Sequence, residues 1–223
     1  MQTPDPAHHG QAAIFRFDLD TGKLIAKHPL PGGDAKDRRC VNDLVVTAKG
    51  VAYATGTGGV YRVSRDGGEL EVFETFPGSF TNGIAITPDD ATLFVAALEG
   101  IVRIDVKSRA RSLIELPEAV VMGGVDGLYF HDRSLIAIQN GGRPMRVVRA
   151  WLDPELRRVT HFAVLEQLHP LSDVPLTGVV VGRSLYYVAR SQIDAFEDGK
   201  IWPDETLKET VILKLPIDLP SFP

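Results

Sequence analysis

Four polar residues stand at the start of short apolar runs and are the first candidates for chemistry. They are Asn42, Asn82, Asp126 and Thr177, whose positions differ by 40, 44 and 51. Each Asn-Gly or Asp-Gly pair taken alone is explained by a turn, but the recurrence in register favours a shared site. Amide, carboxylate and hydroxyl oxygens suit hard cations such as Ca²⁺ or Mg²⁺ better than soft metals. The sequence therefore predicts that these residues form a cation site if the fold brings them together.

The elements that position these residues repeat with them. Each polar residue is followed by its apolar run, and after a turn by a second run, at 51–55, 93–97, 135–138 and 185–188. A third run carries a basic residue, at Arg16, Arg62, Arg103, Arg149 and, more loosely, Lys214. A fourth, weaker run lies at 24–28, 70–74, 112–116 and 159–164. The basic residues are interpreted as solvated charges on an outer strand rather than as an anion site.

Four short antiparallel strands in every 40 to 50 residues, without a sustained helical stripe, are typical of a β-propeller. A β-sandwich also has many short strands, but it does not repeat one polar step in the same phase. The predicted fold is all-β, with a flexible leader at 1–11 and a single propeller domain at 12–223. The predicted blade units are 12–30 (partial), 38–77, 78–117, 122–168 and 174–216.

The unit length also predicts how the ring is built. The chain accommodates about four and a half blades, whereas a closed six-bladed ring needs about 270 residues at this spacing. We therefore expect an N-terminally incomplete six-bladed ring with an open edge between Ile14 and the last blade. In a propeller the first strands line a central channel, and the loops between second and third strands open at the same mouth. This topology predicts that Asn42, Asn82, Asp126 and Thr177 converge at that mouth. Gln139 and Arg190 are expected on loops of the same face and, with Asn42 and Thr177, are the candidate substrate-binding residues.

Composition excludes several classes of function. Lys and Arg number 24 against 29 Asp and Glu and are scattered, so a nucleic-acid partner is not expected. The sequence contains no run of 18 apolar residues, so no membrane span is predicted. The single cysteine, Cys40, rules out an internal disulfide and a cysteine-built zinc site. No secretory signal is evident, which predicts a cytoplasmic protein if the chain is complete and a periplasmic or secreted one if its N-terminus is missing.

Several stretches of the sequence resemble a known family. The residues from Thr81 to Asp89, TNGIAITPD, resemble the P-N-G-I-A-x-S-P-D stretch of the senescence-marker-protein/gluconolactonase family, the regucalcin-like six-bladed propellers. Val125-Asp126-Gly127 resembles that family's P-D-G segment, and Asn42-Asp43 its N-D-G step. The resemblance implies that Asn82 and Asp126 bind the metal, that Asp126 is the acid/base, and that Asn42 faces the substrate. The segment 177–215 resembles a divergent bacterial gluconolactonase-like branch.

The chain departs from that family at named positions. The family's remaining metal ligand, a glutamate, has no counterpart here, Thr81 replaces a proline, and Cys40 stands where the family has a substrate-binding arginine. The resemblance implies a hydrolase of a lactone or related small ester that uses a divalent cation, calcium first, with magnesium, manganese and zinc open. The alternatives are a non-catalytic propeller that binds a small ligand or protein partner, and an inactive fragment of a longer propeller. A protein partner is therefore not excluded.

Overall fold

The computed structural model describes residues 12–30, 39–197 and 200–218, and these consist almost entirely of strands and turns. The leader predicted at 1–11 lies outside the described residues. The first sheet has two antiparallel strands, β1 (Ala13–Phe17) and β2 (Leu24–Pro29). They lie within the unit that the sequence assigns as partial. Asp18 closes their turn, because its Oδ1 accepts the backbone N–H of Thr21 at 2.8 Å.

The second sheet contains an unusually long strand. Its members are β3 (Val41–Val46), β4 (Ala52–Ser64) and β5 (Gly67–Phe80). The first half of β4 pairs with β3 and the second half with β5. A straight strand rises about 3.3 Å per residue, which would separate Tyr53 from Val60 by more than about 20 Å. However, the ring centroid of Tyr53 lies 4.9 Å from that of Phe73, whose neighbour Glu74 pairs with Val60.

β4 therefore folds back on itself. Gly58, with φ of 79°, lies at the centre of the bend. The Thr81 hydroxyl holds the bend together, since it accepts the N–H of Gly56 at 3.1 Å and donates to the carbonyl oxygen of Gly59 at 2.8 Å. The predicted second and third strands of this unit are thus the two halves of one continuous element.

The next two sheets have four antiparallel strands each, in chain order. The third sheet comprises β6 (Ile84–Ile86), β7 (Thr92–Ala97), β8 (Gly100–Asp105) and β9 (Arg111–Leu113). The fourth comprises β10 (Val125–His131), β11 (Ser134–Gln139), β12 (Arg146–Leu152) and β13 (Val159–Gln167). Every residue of β7 and β11 is buried, because neighbouring sheets cover both faces of these second strands.

The last sheet is interrupted by an insertion. Its strands are β14 (Gly178–Val181), β15 (Ser184–Arg190) and, after residues 191–210, β18 (Val211–Pro216). The insertion contains β16 (Phe196–Glu197), β17 (Lys200–Ile201) and a 3₁₀ turn at Asp204–Thr206. Among residues 12–30, 39–197 and 200–218, no other unit has a comparable segment between its second and third strands.

The sheets are arranged around their first strands. β3 packs against β6, β6 against β10, and β10 against β14. Successive sheets with neighbouring inner strands form a β-propeller, so the predicted all-β propeller is confirmed. The open ring edge between Ile14 and the last blade stays a prediction. The described part of the chain contains no helix long and apolar enough to cross a bilayer.

One expectation about the basic third-strand residues is wrong. Arg149 is not solvated: it is only 4% exposed. Its guanidinium donates to the Ser134 hydroxyl at 2.9 Å and to the carbonyl oxygen of Ile217 at 2.6 Å, and pairs with Asp218 at 3.2 Å. The chain that follows β18 covers this arginine. Arg62, by contrast, forms a partly exposed ion pair with Glu71.

Candidate functional site

Three of the four recurring polar residues meet in one pocket at the mouth of the channel. The pocket has a volume of about 250 Å³ and is lined by Asn42, Asp43, Asp126, Leu176, Thr177 and Ile193. Asn42, Asp43 and Asp126 belong to the first strands of their blades, and Thr177 immediately precedes β14. The first-strand topology therefore brings them together, as the sequence predicts.

Asp126 is the half-buried centre of this pocket. Its Oδ2 accepts a hydrogen bond from Asn140 Nδ2 at 2.7 Å, and the same amide group donates to the carbonyl oxygen of Pro175 at 2.9 Å. Asn82 also forms a side-chain hydrogen bond with the carboxylate. Burial raises the pKa of Asp126, while the hydrogen bonds from Asn140 and Asn82 act in the opposite direction.

Asn82 does not line this pocket: it lines a neighbouring cavity of about 430 Å³ and is linked to the pocket through the Asp126 carboxylate. Its backbone N–H donates to the carbonyl oxygen of Ala96 at 2.8 Å, which fixes the residue just before β6. Its Oδ1 is buried and has no hydrogen-bond partner in the part of the chain that the structure describes. A buried carbonyl oxygen without a partner costs about 1–3 kcal/mol, and a cation is one of the groups that removes this cost. The donor chemistry and the orphaned oxygen therefore fit a hard divalent cation beside Asp126.

A second carboxylate, Asp43, was not assigned a role from the sequence. Its Oδ1 accepts the N–H of Leu44 at 2.8 Å, and its Oδ2 accepts the N–H of Ile84 on the neighbouring blade at 3.2 Å. Burial is the main cause that raises the pKa of Asp43, and the negative charge of Asp126 raises it further. Two partly buried carboxylates thus repel each other in one pocket, and a cation would relieve that repulsion.

The sequence repeat already distinguishes Asp43 from the residues at the same position in the other units. In the other three units the polar residue is followed by glycine, at Gly83, Gly127 and Gly178. A Cβ on Gly83 would lie 2.2 Å from the carbonyl oxygen of Asp126, so that position has no room for a side chain. Asp43 is the exception to this pattern, and its carboxylate extends towards the next blade.

Thr177 is oriented by a tyrosine. The Tyr129 hydroxyl accepts the N–H of Gly178 at 2.6 Å and lies 3.1 Å from Thr177 Oγ1. Burial raises the pKa of Tyr129, so the phenol keeps its proton at neutral pH. The two hydroxyl groups share one hydrogen bond, in which either can donate, and this contact holds Thr177 Oγ1 at the pocket.

The structure does not bring Gln139 or Arg190 into this pocket. Gln139 is buried, and its amide nitrogen donates to the carbonyl oxygens of Val121 and Gly123 at 3.2 and 2.8 Å. Its amide oxygen accepts from Arg146 at 2.8 Å. These contacts support the loop before β10, and none of them faces the pocket. Arg190 lines a neighbouring groove. The substrate-binding roles of both residues stay predictions.

A different cluster of metal-ligand types lies at the other end of β10. His131, Asp132 and Asp218 place ligand atoms within 4.8 Å of one another. However, Arg149 and Arg183 both form ion pairs with Asp218, and the two arginines lower the pKa of its carboxyl group. Two fixed positive charges already neutralise this cluster and disfavour a cation. At the channel mouth none of the described lining residues is basic, so that pocket suits a cation better.

Neither protein-family models nor curated proteins match this chain. Solved structures do. Regucalcin from Agrobacterium tumefaciens, described as a calcium-binding protein, is similar with a TM-score of 0.58 and 17% identity over 81% of this chain. A gluconolactonase from Xanthomonas campestris is similar with a TM-score of 0.56 and 20% identity over 82% of this chain. The fold is that of a β-propeller.

A third similar structure is a luciferin-regenerating enzyme, with a TM-score of 0.57 and 13% identity over 92% of this chain. This chain covers 63% of the regucalcin, 64% of the gluconolactonase and 70% of the luciferin-regenerating enzyme. It thus spans less than two thirds of the length of the first two. Identities this low establish the shared fold and leave the reaction to be argued from the site itself.

Proposed function

We propose that this propeller hydrolyses a lactone or a related small ester with the help of a divalent cation, calcium foremost, at the channel mouth. The observation that carries the proposal is the pair of partly buried carboxylates, Asp43 and Asp126, in one pocket, with the orphaned Oδ1 of Asn82 on a side chain that bonds to Asp126. The similarity to a calcium-binding regucalcin and a gluconolactonase supports the same choice of cation and reaction.

Three side chains would hold the cation. Asn82 would supply an amide oxygen, and Asp126 and Asp43 would each supply a carboxylate oxygen, a set that Ca²⁺ and Mg²⁺ accept. In this assignment Asp43 takes the place of the glutamate that the family resemblance requires and this chain lacks. A cation bound there would polarise the ester carbonyl and stabilise the developing oxyanion.

Other residues of the pocket would orient the substrate and activate the attacking water molecule. Asn140 donates to Oδ2 of Asp126 at 2.7 Å, and the carboxylate oxygen that does not hold the cation would accept a proton from an attacking water molecule. Asn42 and Thr177 offer an amide and a hydroxyl to the polar groups of the substrate. Leu176 and Ile193 form an apolar wall that reduces the access of bulk water to the pocket.

The test is a hydrolysis assay on γ- and δ-lactones of sugar acids, with Ca²⁺, Mg²⁺, Mn²⁺ or Zn²⁺ supplied in turn. Asp126→Asn should lower kcat/KM by about 10²–10⁴-fold, because it removes a proton acceptor and a charged ligand. The matched control is Asp132→Asn, which changes an exposed aspartate of the His131 cluster. It should leave the rate unchanged.

Two results would contradict the proposal. Equal rates for the wild type and Asp126→Asn would remove Asp126 from the mechanism. Binding of a cation without hydrolysis of any lactone would favour the non-catalytic alternative, in which the same mouth recognises a ligand without transforming it.

A further inference from the structure

A second groove lies beside the channel mouth, between the insertion at 191–210 and the loop that precedes β14. Its volume is about 290 Å³. Its lining includes Arg190, Lys208 and Trp202 on one side and Pro170, Asp173 and Val174 on the other. The pocket at the channel mouth does not require this groove, and no other unit has the insertion that builds it.

The two sides of the groove are tied together by hydrogen bonds. The Asp173 carboxylate accepts the backbone N–H groups of Ser191 and Gln192 at 2.9 and 3.1 Å. The Ser191 hydroxyl donates to the carbonyl oxygen of Val174 at 2.8 Å. The Gln192 amide bonds to both the N–H and the carbonyl oxygen of Lys208. The groove is therefore a built surface with fixed walls rather than a gap between loose loops.

The groove adjoins the channel mouth, because residues that are neighbours in the chain line the two cavities. Leu176 and Ile193 line the mouth pocket. On one wall, Val174 lies two residues before Leu176, and on the other Gln192 and Asp194 flank Ile193; all three line the groove. A small molecule whose reactive carbonyl lies near Asp126 would thus extend past Ile193 into the groove.

Arg190 is the group in the groove that favours an anion. Arg190 is half-buried, and neither it nor Lys208 has an acidic side chain within ion-pair distance among the residues that the structure describes. Asp173 accepts three backbone N–H groups, including that of Val174, and these donors offset part of its negative charge. Asp194 is exposed. A half-buried guanidinium without an acceptor is a recognition element for a carboxylate.

Trp202 adds a flat apolar surface to the same groove. It is 43% exposed, and its backbone N–H donates to the carbonyl oxygen of Ala195 at 3.0 Å, which anchors it in the insertion. An exposed indole beside a guanidinium can stack against an aromatic ring whose carboxylate binds the arginine.

We propose that this groove is a substrate subsite that binds a carboxylate carried on an aromatic ring, with Arg190 and Trp202 as its specificity-determining residues. The inference deepens the proposed function, on which it rests: the preferred lactones or esters carry a carboxylate on the side away from the reacting carbonyl. Lys208 contributes positive charge at the rim.

The test measures binding without catalysis. Phenylacetate and its uncharged analogue phenylacetamide are titrated by calorimetry in the presence of a chelator, so that neither hydrolysis nor the cation contributes. Phenylacetate should bind at millimolar concentration and at least about tenfold more tightly than phenylacetamide, because only the anion pairs with Arg190. Asp126→Asn should bind phenylacetate as the wild type does, which separates the subsite from the cation site.

The variants identify the residues responsible. Arg190→Gln should weaken phenylacetate binding at least about tenfold and leave phenylacetamide unchanged. Trp202→Leu should weaken both ligands, and the exposed control Arg157→Gln should weaken neither. Circular dichroism and thermal melting establish that each variant is folded. Equal binding of the two ligands, no binding of phenylacetate, or full binding by folded Arg190→Gln and Trp202→Leu would overturn the proposal.

Discussion

Burial disfavours the ionised forms of Asp43 and Asp126 in the folded protein when no cation is bound. Burial raises the pKa of both, and the charge of Asp126 adds to the effect on Asp43. A carboxyl group with a raised pKa in the folded state stabilises the fold fully below its unfolded pKa of about 3.9, and this stabilisation is lost as pH rises through the raised value. The metal-free protein should therefore lose this contribution on the way to neutral pH.

Asp43→Asn tests this consequence. In the presence of a chelator, the wild type's free energy of unfolding should contain a component that decreases as pH rises from about 4 to about 7. Asp43→Asn should show less of that decrease, since the amide does not ionise. Urea unfolding across this pH range measures it, with the exposed turn variant Asp66→Asn as the control. An identical pH dependence in wild type and Asp43→Asn would contradict the assigned electrostatics.

The third strands occupy equivalent positions in the repeat, but their basic residues contribute differently to the stability of the fold. Arg149 on β12 is buried and ties its blade to the chain after β18, whereas Arg62 on β4 pairs with Glu71 at a partly exposed position. Arg149→Met should lower the free energy of unfolding by about 3–5 kcal/mol, because it leaves Asp218 and the Ile217 carbonyl without this partner.

Arg62→Met is the matched comparison and should cost about 1 kcal/mol or less. Urea unfolding of the two variants gives the difference directly. Equal losses of unfolding free energy would show that the contacts of Arg149 with the chain after β18 stabilise the fold no more than the Arg62–Glu71 ion pair does.

The fold-back in β4 depends on one hydroxyl. Thr81 is fully buried and bonds both sides of the bend, at Gly56 and Gly59. Thr81→Val keeps the shape of the side chain but leaves these backbone groups without their partner, which should cost about 1–3 kcal/mol. The exposed Thr160→Val is the control and should change stability little. A thermal melt of Thr81→Val indistinguishable from that of the wild type would show that the bend holds without the hydroxyl.

For the whole molecule, the sequence predicts the fold class well because turns and apolar runs recur in one phase. It also places Asn42, Asp126 and Thr177 together, since first strands of adjacent blades must converge. What it misses depends on contacts between units. The burial of Arg149 comes from the chain that follows another blade, and the role of Asp43 comes from a backbone N–H on the next blade.

Local contacts explain the remaining differences. Gln139 lies on the predicted face, but its amide is bound by the adjoining loop and by Arg146. The insertion at 191–210 has no counterpart in the repeat, so neither its strands nor the groove beside Arg190 could be read from the blade pattern. The recurring polar residue at the start of each first strand indicates the mouth of a propeller. The hydrogen-bond partners of that residue can be identified only from the structure.

The central claim is that the mouth binds a divalent cation through Asp43, Asp126 and Asn82. Calorimetric titration of the chelator-treated protein with Ca²⁺ tests it most directly, alongside Asp43→Asn, Asp126→Asn and the control Asp132→Asn. The wild type and Asp132→Asn should bind one ion, and each mouth variant should bind at least about tenfold more weakly because it loses a charged ligand. The claim would be contradicted if the wild type bound no Ca²⁺ at millimolar concentration, or if Asp132→Asn alone abolished binding.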